Sequence, residues 1–362
     1  MNVPNLCESS NWPYVLTFLP PDLDESARRT QALRRARGVA DAASLLRLIL
    51  CYALTDFSQK DVAAWGRAMG LATMSAVAFF YRVRDAERWL GDLLGSMLHE
   101  EVRPGPERPV RLRLVDATVI NGPGAEGTDW RVHVQFDLQT GRFVGAEITD
   151  DHGGETLARH DLQPGDIVLG DRGYGHARGF ASAVAAGADV VVRIVPDGLR
   201  LCGRRRQRLS LVGRARSVPQ IGAVAFDVLV PVPPERGGRA EKGWKTSQAV
   251  GWVPGRVCAA RTRSGEIVWV FTTLAADVAS PAEVLDLYRL RWQVELAFKR
   301  WKSLLHLDQL PSPNRGPTAK SWILGRLLAA AIAEKLFEPD GSFPPWGYVL
   351  RDSRRRVRGG RG

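Results

Sequence analysis

The segment Asp166-Ile-Val-Leu-Gly-Asp171-Arg-Gly-Tyr-Gly175 decides how the rest of the chain is read. Its short apolar run predicts a buried strand, and the glycines after Asp171 predict a tight turn into a helix over about 176–186. Asp171 thus falls at the carboxyl end of a strand. On the C-terminal side, Ala188-Asp-Val-Val-Val-Arg-Ile194 predicts the next strand, with Arg193 near its end. On the N-terminal side, β-rich runs at about 110–120, 130–138 and 142–149 predict a three-stranded meander, with Leu138-Gln-Thr-Gly141 as the turn between the last two. The first run carries one acid, Asp116, in its middle, where an unpaired charge is costly if buried. Acids at strand ends also cap ordinary turns, so neither Asp116 nor Asp171 is decisive alone. Asp150, Asp151, Asp161 and Asp166 lie in polar, turn-like stretches and are expected to be solvated.

A second informative stretch lies near the C-terminus: Tyr288-Arg-Leu-Arg-Trp-Gln-Val-Glu-Leu-Ala-Phe-Lys-Arg-Trp-Lys302, which has no internal Gly or Pro and predicts one continuous helix. At 100° per residue, Tyr288, Arg291, Glu295 and Lys302 share one face within about 60° of arc, while Leu290, Val294, Ala297, Trp301 and Leu304 lie roughly opposite. Such a helix buries one side and presents a carboxylate among cations on the other. A carboxylate can hold a divalent metal while flanking cations hold phosphate oxygens. Spacing alone favours a plainer reading, because Arg291/Glu295 and Glu295/Lys299 are i, i+4 pairs of the kind that decorate solvated helices.

Taken together, the pattern Tyr, two residues, Arg, three residues, Glu, six residues, Lys, preceded by two acids at strand positions, resembles the cut-and-paste DDE transposases of bacterial insertion sequences that carry the Tyr-Arg-Glu-Lys signature. The resemblance runs from roughly Asp61 to Leu336 and is most specific at Asp171 and along the 288–302 segment. It implies an α/β fold with a ribonuclease H-like catalytic core, in which a central sheet gathers the two aspartates and the glutamate. The order of three strands, then strand, helix, strand agrees with that core. By resemblance, Asp116, Asp171 and Glu295 are the catalytic and metal-binding residues, holding two Mg²⁺ ions, with Mn²⁺ as a substitute, for strand cleavage and strand transfer. Tyr288, Arg291 and Lys302 would bind DNA phosphates, and Arg193 would contact DNA near the active site. Trp269, in the strand-like run Ile267-Val-Trp-Val-Phe-Thr-Thr273, matches a tryptophan that stacks a flipped base; a buried core tryptophan is the alternative. The implied partner is double-stranded DNA, both terminal inverted repeats and target, bound by a homodimer in the synaptic complex.

Composition divides the chain further. Residues 1–105 are expected to form an all-helical, helix-turn-helix-like DNA-binding region, with helices over about 40–54, 58–69 and 75–98, and with Ser58 and Ser75 as N-caps. Tyr81-Arg-Val-Arg-Asp-Ala-Glu-Arg-Trp-Leu90 resembles the family's N-terminal segment, and generic helical packing is the competing reading there. Residues 106–196 would form the first part of the core, and 197–266 a β-rich basic insertion containing Arg200, Arg204, Arg205, Arg206, Arg208, Arg214 and Arg216. Residues 267–340 would complete the core with the Glu-bearing helix, leaving 341–362 as a basic, disordered tail.

The 362 residues carry 50 Lys plus Arg against 39 Asp plus Glu, a net charge of +11 that favours a polyanionic partner. Cys7, Cys51, Cys202 and Cys258 show neither metal-ligand spacing nor a disulfide framework. With no apolar stretch read as a membrane span or secretion signal, the expected setting is the cytoplasm, with nucleoid association when bound to DNA. There is no P-loop, dinucleotide-binding glycine pattern or internal repeat. Two alternatives share part of this reading: a ribonuclease H-like nuclease or resolvase without strand transfer, and a transposase-derived DNA-binding protein that has lost catalysis.

Overall fold

The structure, a computed structural model, describes residues 6–99, 111–138, 140–234, 244–292, 310–311 and 316–336. Six helices come first: α1 Trp12–Leu16, α2 Leu23–Arg29, α3 Ala42–Leu54, α4 Gln59–Ala68, α5 Ala76–Asp85 and α6 Glu87–His99. Their starts follow local chemistry. Ser58 and Asp61 form a reciprocal capping box at α4, Ser75 accepts from the Ala78 N–H at α5, and Asp41 does the same for Ser44 at α3. Gly70, at φ +68°, makes the turn between α4 and α5, a conformation that costs glycine little. The single helix expected over 75–98 is divided at Ala86, so that Phe79 and Val83 on one segment and Trp89, Leu90 and Leu93 on the next all become buried.

The sheet begins with β1 Arg111–Ile120, β2 Trp130–Asp137, β3 Arg142–Asp150 and β4 Asp166–Gly170, then α7 Ala177–Ala185 and β5 Asp189–Arg193. β6 Leu201–Cys202, β7 Arg208–Leu209, α8 Leu211–Arg214, β8 Ala223–Val232, β9 Gly251–Arg261 and β10 Ile267–Thr272 follow. All ten strands join one sheet in the order β3-β2-β1-β4-β5-β10-β9-β8-β6-β7. β1, β4 and β5 are parallel neighbours, and β2 and β3 pair antiparallel outside β1. The β-richness expected of 197–266 is present, but its strands extend the same sheet beyond β10 rather than standing apart from it.

After the sheet come α9 Pro281–Arg289, started by a Ser280/Glu283 capping box with Pro281 in its first turn, and α10 Pro317–Leu336. One sheet face, through Leu114, Leu169, Val191 and Val270, shares a single apolar core with α9, α10 and the N-terminal helices. The opposite face, through Val115, Val168, Val190 and Val192, packs on Phe180 of α7. α10 lies against α3, α5 and α6, and a Cβ at Gly325 would stand 3.0 Å from the Ala53 Cβ, so the two helices meet at close range there. Lys320 adds a 2.9 Å ion pair to Glu87 of α6. The C-terminal helix is therefore part of the N-terminal helical layer. Among the described residues no helix is long and apolar enough to cross a membrane.

Candidate active site

Strand register builds the site. β1 and β4 pair parallel up to Leu114 opposite Leu169, and Asp116 and Asp171 each lie two residues beyond that last pair. β4 and β5 pair up to Gly170 opposite Val192, with Asp171 and Arg193 the residues that follow, and Arg193 is paired with Val270 of β10. Because side chains alternate along strands, Asp116, Asp171 and Arg193 point to the face of Leu114, Leu169, Val191 and Val270. α9 packs on that face.

α9 supplies the next contact: the Tyr288 hydroxyl donates to Asp171 Oδ1 at 3.0 Å. Tyr288 is half-buried, and burial together with the Asp171 charge raises its phenol pKa. The guanidinium of Arg291 lies 5.9 Å from the centre of the Tyr288 ring, and its charge acts on Asp116. The structure thus brings together Asp116, Asp171, Arg193, Tyr288 and Arg291. One detail differs from the sequence reading, and one is added to it. Tyr288, expected to bind a phosphate, here donates to Asp171. The helix expected to run unbroken from Tyr288 ends at Arg289, and the chain turns at Leu290 and Arg291 through bonds from their N–H groups to Leu287 and Tyr288 carbonyls. Glu295 and Lys302 lie outside the described residues.

Trp269 is corrected by its parity on β10. It is 3% exposed and points away from Asp116 and Asp171, into the opposite core, where its ring lies 6.3 Å from that of Phe226. The buried-core alternative is the one its position fulfils. Asp166, expected to be solvated, is also buried, at 1% exposed, with Arg111 at 2.7 Å and Arg113 at 3.5 Å. A charge can be buried there because two cations accompany it. Asp150, Asp151 and Asp161 are exposed as expected. In the 197–266 segment, Arg200, Arg206 and Arg214 lie over the rings of Trp244, Trp252 and Phe226 at 4.1, 4.7 and 5.6 Å.

Electrostatics mark Asp116 as unusual. Burial raises Asp116 to a pKa of about 6; the Ala117 N–H and Arg291 oppose the rise, while Glu155 and Asp171 add to it. Glu155 was not singled out by sequence. It follows β3 in the loop His152-Gly-Gly-Glu155, and a Cβ on Gly173 would overlap its carboxylate, so the glycine of Asp171-Arg-Gly is what admits Glu155 to the turn. Tyr174, beside it, is fully buried with no hydrogen-bond partner for its hydroxyl among the described residues. The available sequence signal is an acid directly after a Gly pair, in the stretch that leads from β3 to the strand ending before Asp171.

Two histidines, His133 buried and His160 partly so, flank this region. His133 on β2 bonds the Thr149 hydroxyl at 3.0 Å, and burial, Arg159 and Arg131 lower its pKa to about 4. Burial, His133 and Arg159 lower His160 to about 3. Both stay neutral in the folded state while the unfolded chain takes up protons below about pH 6.5. Their contribution to stability is therefore present above that pH and lost as pH falls, by about 1.4 kcal/mol per pH unit for each histidine. Asp116 acts in the opposite sense between its ordinary value and about 6, because there the folded state holds the extra proton. Thermal melts in metal-free buffer between pH 7 and 4 are expected to show stability falling with pH, more steeply in Asp116→Asn. Equal slopes for the two proteins contradict this assignment.

Two neighbouring carboxylates, one within β1 and one just past the carboxyl end of β4, with arginines beside them, suit metal-assisted phosphoryl chemistry on a polyanion. Comparison with known proteins defines the class. Residues 108–331 match the family model described as "Transposase DDE domain". The chain belongs to the DDE transposases of bacterial insertion sequences. It is 36% identical over 360 residues to the InsL protein of insertion sequence element IS186A from Escherichia coli (strain K12), covering 92% of this chain and 96% of that one. The transposase for insertion sequence element IS421 from Escherichia coli is 36% identical over 361 residues, with the same coverage. A solved piggyBac transposase synaptic complex with hairpin DNA aligns with TM-score 0.49 and 10% identity, over 98% of this chain and 80% of that one. The chain is thus a DNA-cleaving and strand-transferring enzyme of a family that uses divalent metal ions.

Proposed function

We propose that this transposase binds the terminal inverted repeats of its element as a homodimer, and cleaves and transfers their strands at a ribonuclease H-like site made by Asp116, Asp171 and Glu295. The observation that supports this reading is the β1/β4 pairing, whose last matched pair, Leu114 and Leu169, lies two residues before Asp116 and Asp171 on the face covered by α9. The donor set suits two Mg²⁺ ions: hard carboxylate oxygens, concentrated where burial and like charge already work against ionised Asp116. When bound, the ions activate the attacking oxygen and stabilise the leaving 3′-oxygen. The protein's own contribution is positional. Tyr288 fixes the Asp171 carboxylate by donating to one of its oxygens. Arg291 balances the Asp116 charge and, with Arg193 in the same row and Lys302 of the Tyr-Arg-Glu-Lys signature, offers cations to DNA phosphates around the scissile bond.

Arg291→Ala combined with Lys302→Ala tests that role. Each lost charged hydrogen bond is expected to slow strand transfer by about tenfold or more, with metal binding retained. If the two residues only decorate a solvated face, strand-transfer rates with native element ends stay at wild type.

End recognition is assigned to the α4-turn-α5 unit. The outward face of α5 presents Val77, Ala78, Tyr81 and Arg84, with Arg84 stacked over the Tyr81 ring at 4.8 Å, while Phe79 and Val83 anchor the helix inward. Tyr81→Ala with Arg84→Ala is expected to weaken binding of the terminal repeats by about tenfold or more at fixed salt, leaving the melting temperature within a few degrees. Unchanged repeat binding in a filter or mobility-shift titration would place recognition elsewhere.

A further inference from the structure

The loop that carries Glu155 is held more firmly than a connection between strands requires. Three consecutive carbonyls each accept a bond from a side chain on a different part of the fold. Arg131 of β2 donates to Gly153 at 2.8 Å, Arg159 to Gly154 at 2.9 Å, and His176 Nε2 to Glu155 at 2.8 Å. The His176 tautomer is fixed locally, because its Nδ1 accepts the Gly179 N–H at 3.2 Å as the cap of α7, leaving the proton on Nε2. The backbone of residues 153–155 is thereby set, and the Glu155 carboxylate is laid over Gly173 in the turn that follows Asp171. Arg131 and Arg159 spend these bonds on the carbonyls, and among the described residues no ion pair is made to the Glu155 carboxylate itself. Alongside stands Tyr174, 0% exposed, whose unpartnered hydroxyl is under the influence of both Asp116 and Glu155. A buried O–H donor left without an acceptor is costly, and the cost is recovered when an oxygen arrives to accept it.

We propose that Glu155 is a further carboxylate of the divalent-cation site, accepting hydrogen bonds from water carried by the ion, with Tyr174 as the donor that completes this outer layer. The inference rests on the reading of Asp116 and Asp171 as metal ligands. Its outer position follows from geometry: among the described residues, only Asp150, Asp151 and His152 bring three ligand atoms within 4.8 Å of one another. Glu155 does not meet both aspartates at one ion directly. That exposed Asp150-Asp151-His152 group faces solvent, and the structure adds no buried donor to it. Glu155 therefore acts as a positioning residue for the site rather than as one of its direct ligands.

Mn²⁺ titration of the full-length protein followed by electron paramagnetic resonance, without DNA, tests this. Glu155→Gln keeps the shape that packs on Gly173 and removes the charge. It is expected to weaken Mn²⁺ binding by about tenfold, and to raise by a similar factor the Mg²⁺ concentration that gives half-maximal cleavage of element ends. Tyr174→Phe, which removes only the hydroxyl, is expected to shift both in the same direction by a smaller factor, and provides the reading if the Gln variant does not fold. Wild-type Mn²⁺ affinity in both variants, beside lost binding in Asp116→Asn, overturns the role of Glu155 and leaves the aspartate site standing. Wild-type affinity in Asp116→Asn and Asp171→Asn as well overturns the underlying site.

Discussion

Replacing Asp116 with Asn is expected to abolish cleavage of the element's ends, a loss of about a thousandfold or more, while making the metal-free protein more stable. The catalytic loss follows from removing a charged metal ligand, a change asked to supply several kcal/mol of transition-state stabilisation. The gain in stability follows from the same geometry. Asp116 sits half-buried at a raised pKa of about 6, beside Glu155 and Asp171, so its charged form at pH 7 is held against desolvation and like-charge repulsion. Removing the charge relieves roughly 3 kcal/mol of that cost. Asp171→Asn is expected to match the loss of activity without the same rise in melting temperature, because its carboxylate keeps a donor in Tyr288. Glu295→Ala is expected to match it too. Opposite movement of activity and stability at one residue distinguishes a functional charge from a structural one.

Ending the chain at residue 316 is expected to prevent folding of the N-terminal helices, although it removes no catalytic residue. α10 buries Trp322, Ile323, Leu327, Leu328 and Ile332 against α3, α5 and α6. Each leucine truncated to alanine in such a core costs about 2–5 kcal/mol, comparable to much of a domain's net stability of roughly 5–15 kcal/mol. Leu327→Ala with Leu328→Ala is the milder version, and should lower the melting temperature by more than ten degrees. A truncated protein whose helical circular dichroism and terminal-repeat binding equal those of the full chain would show that the N-terminal helices stand alone.

These expectations also mark where the sequence stops being legible. The strands around Asp116 and Asp171 could be read because their signals are local: alternation of β-formers, one acid, then glycine. Ser58 and Ser75 were legible as caps for the same reason. What could not be read depends on partners distant in sequence. Trp269 lies one residue from Val270, and only the β5/β10 pairing decides which of the two faces Asp171. Tyr288 belongs to Asp171 across 117 residues. The end of α9 at Arg289, within a segment of unbroken helical propensity, reflects tertiary placement overriding local preference. Glu155 escaped because nothing in His152-Gly-Gly-Glu155 announces the three donors that hold its backbone. Asp166 was misread as solvated because Arg111 and Arg113, its partners, come from a strand 53 or more residues earlier.

The claim that Asp116 and Asp171 are metal ligands of the transposase is tested most directly by exchanging each for cysteine and changing the ion. Thiolate is a poor ligand for Mg²⁺ and a better one for Mn²⁺. Asp116→Cys and Asp171→Cys are therefore predicted to be inactive on element ends in Mg²⁺ and to recover cleavage in Mn²⁺. Wild-type cleavage by either variant in Mg²⁺ would contradict the assignment of that residue.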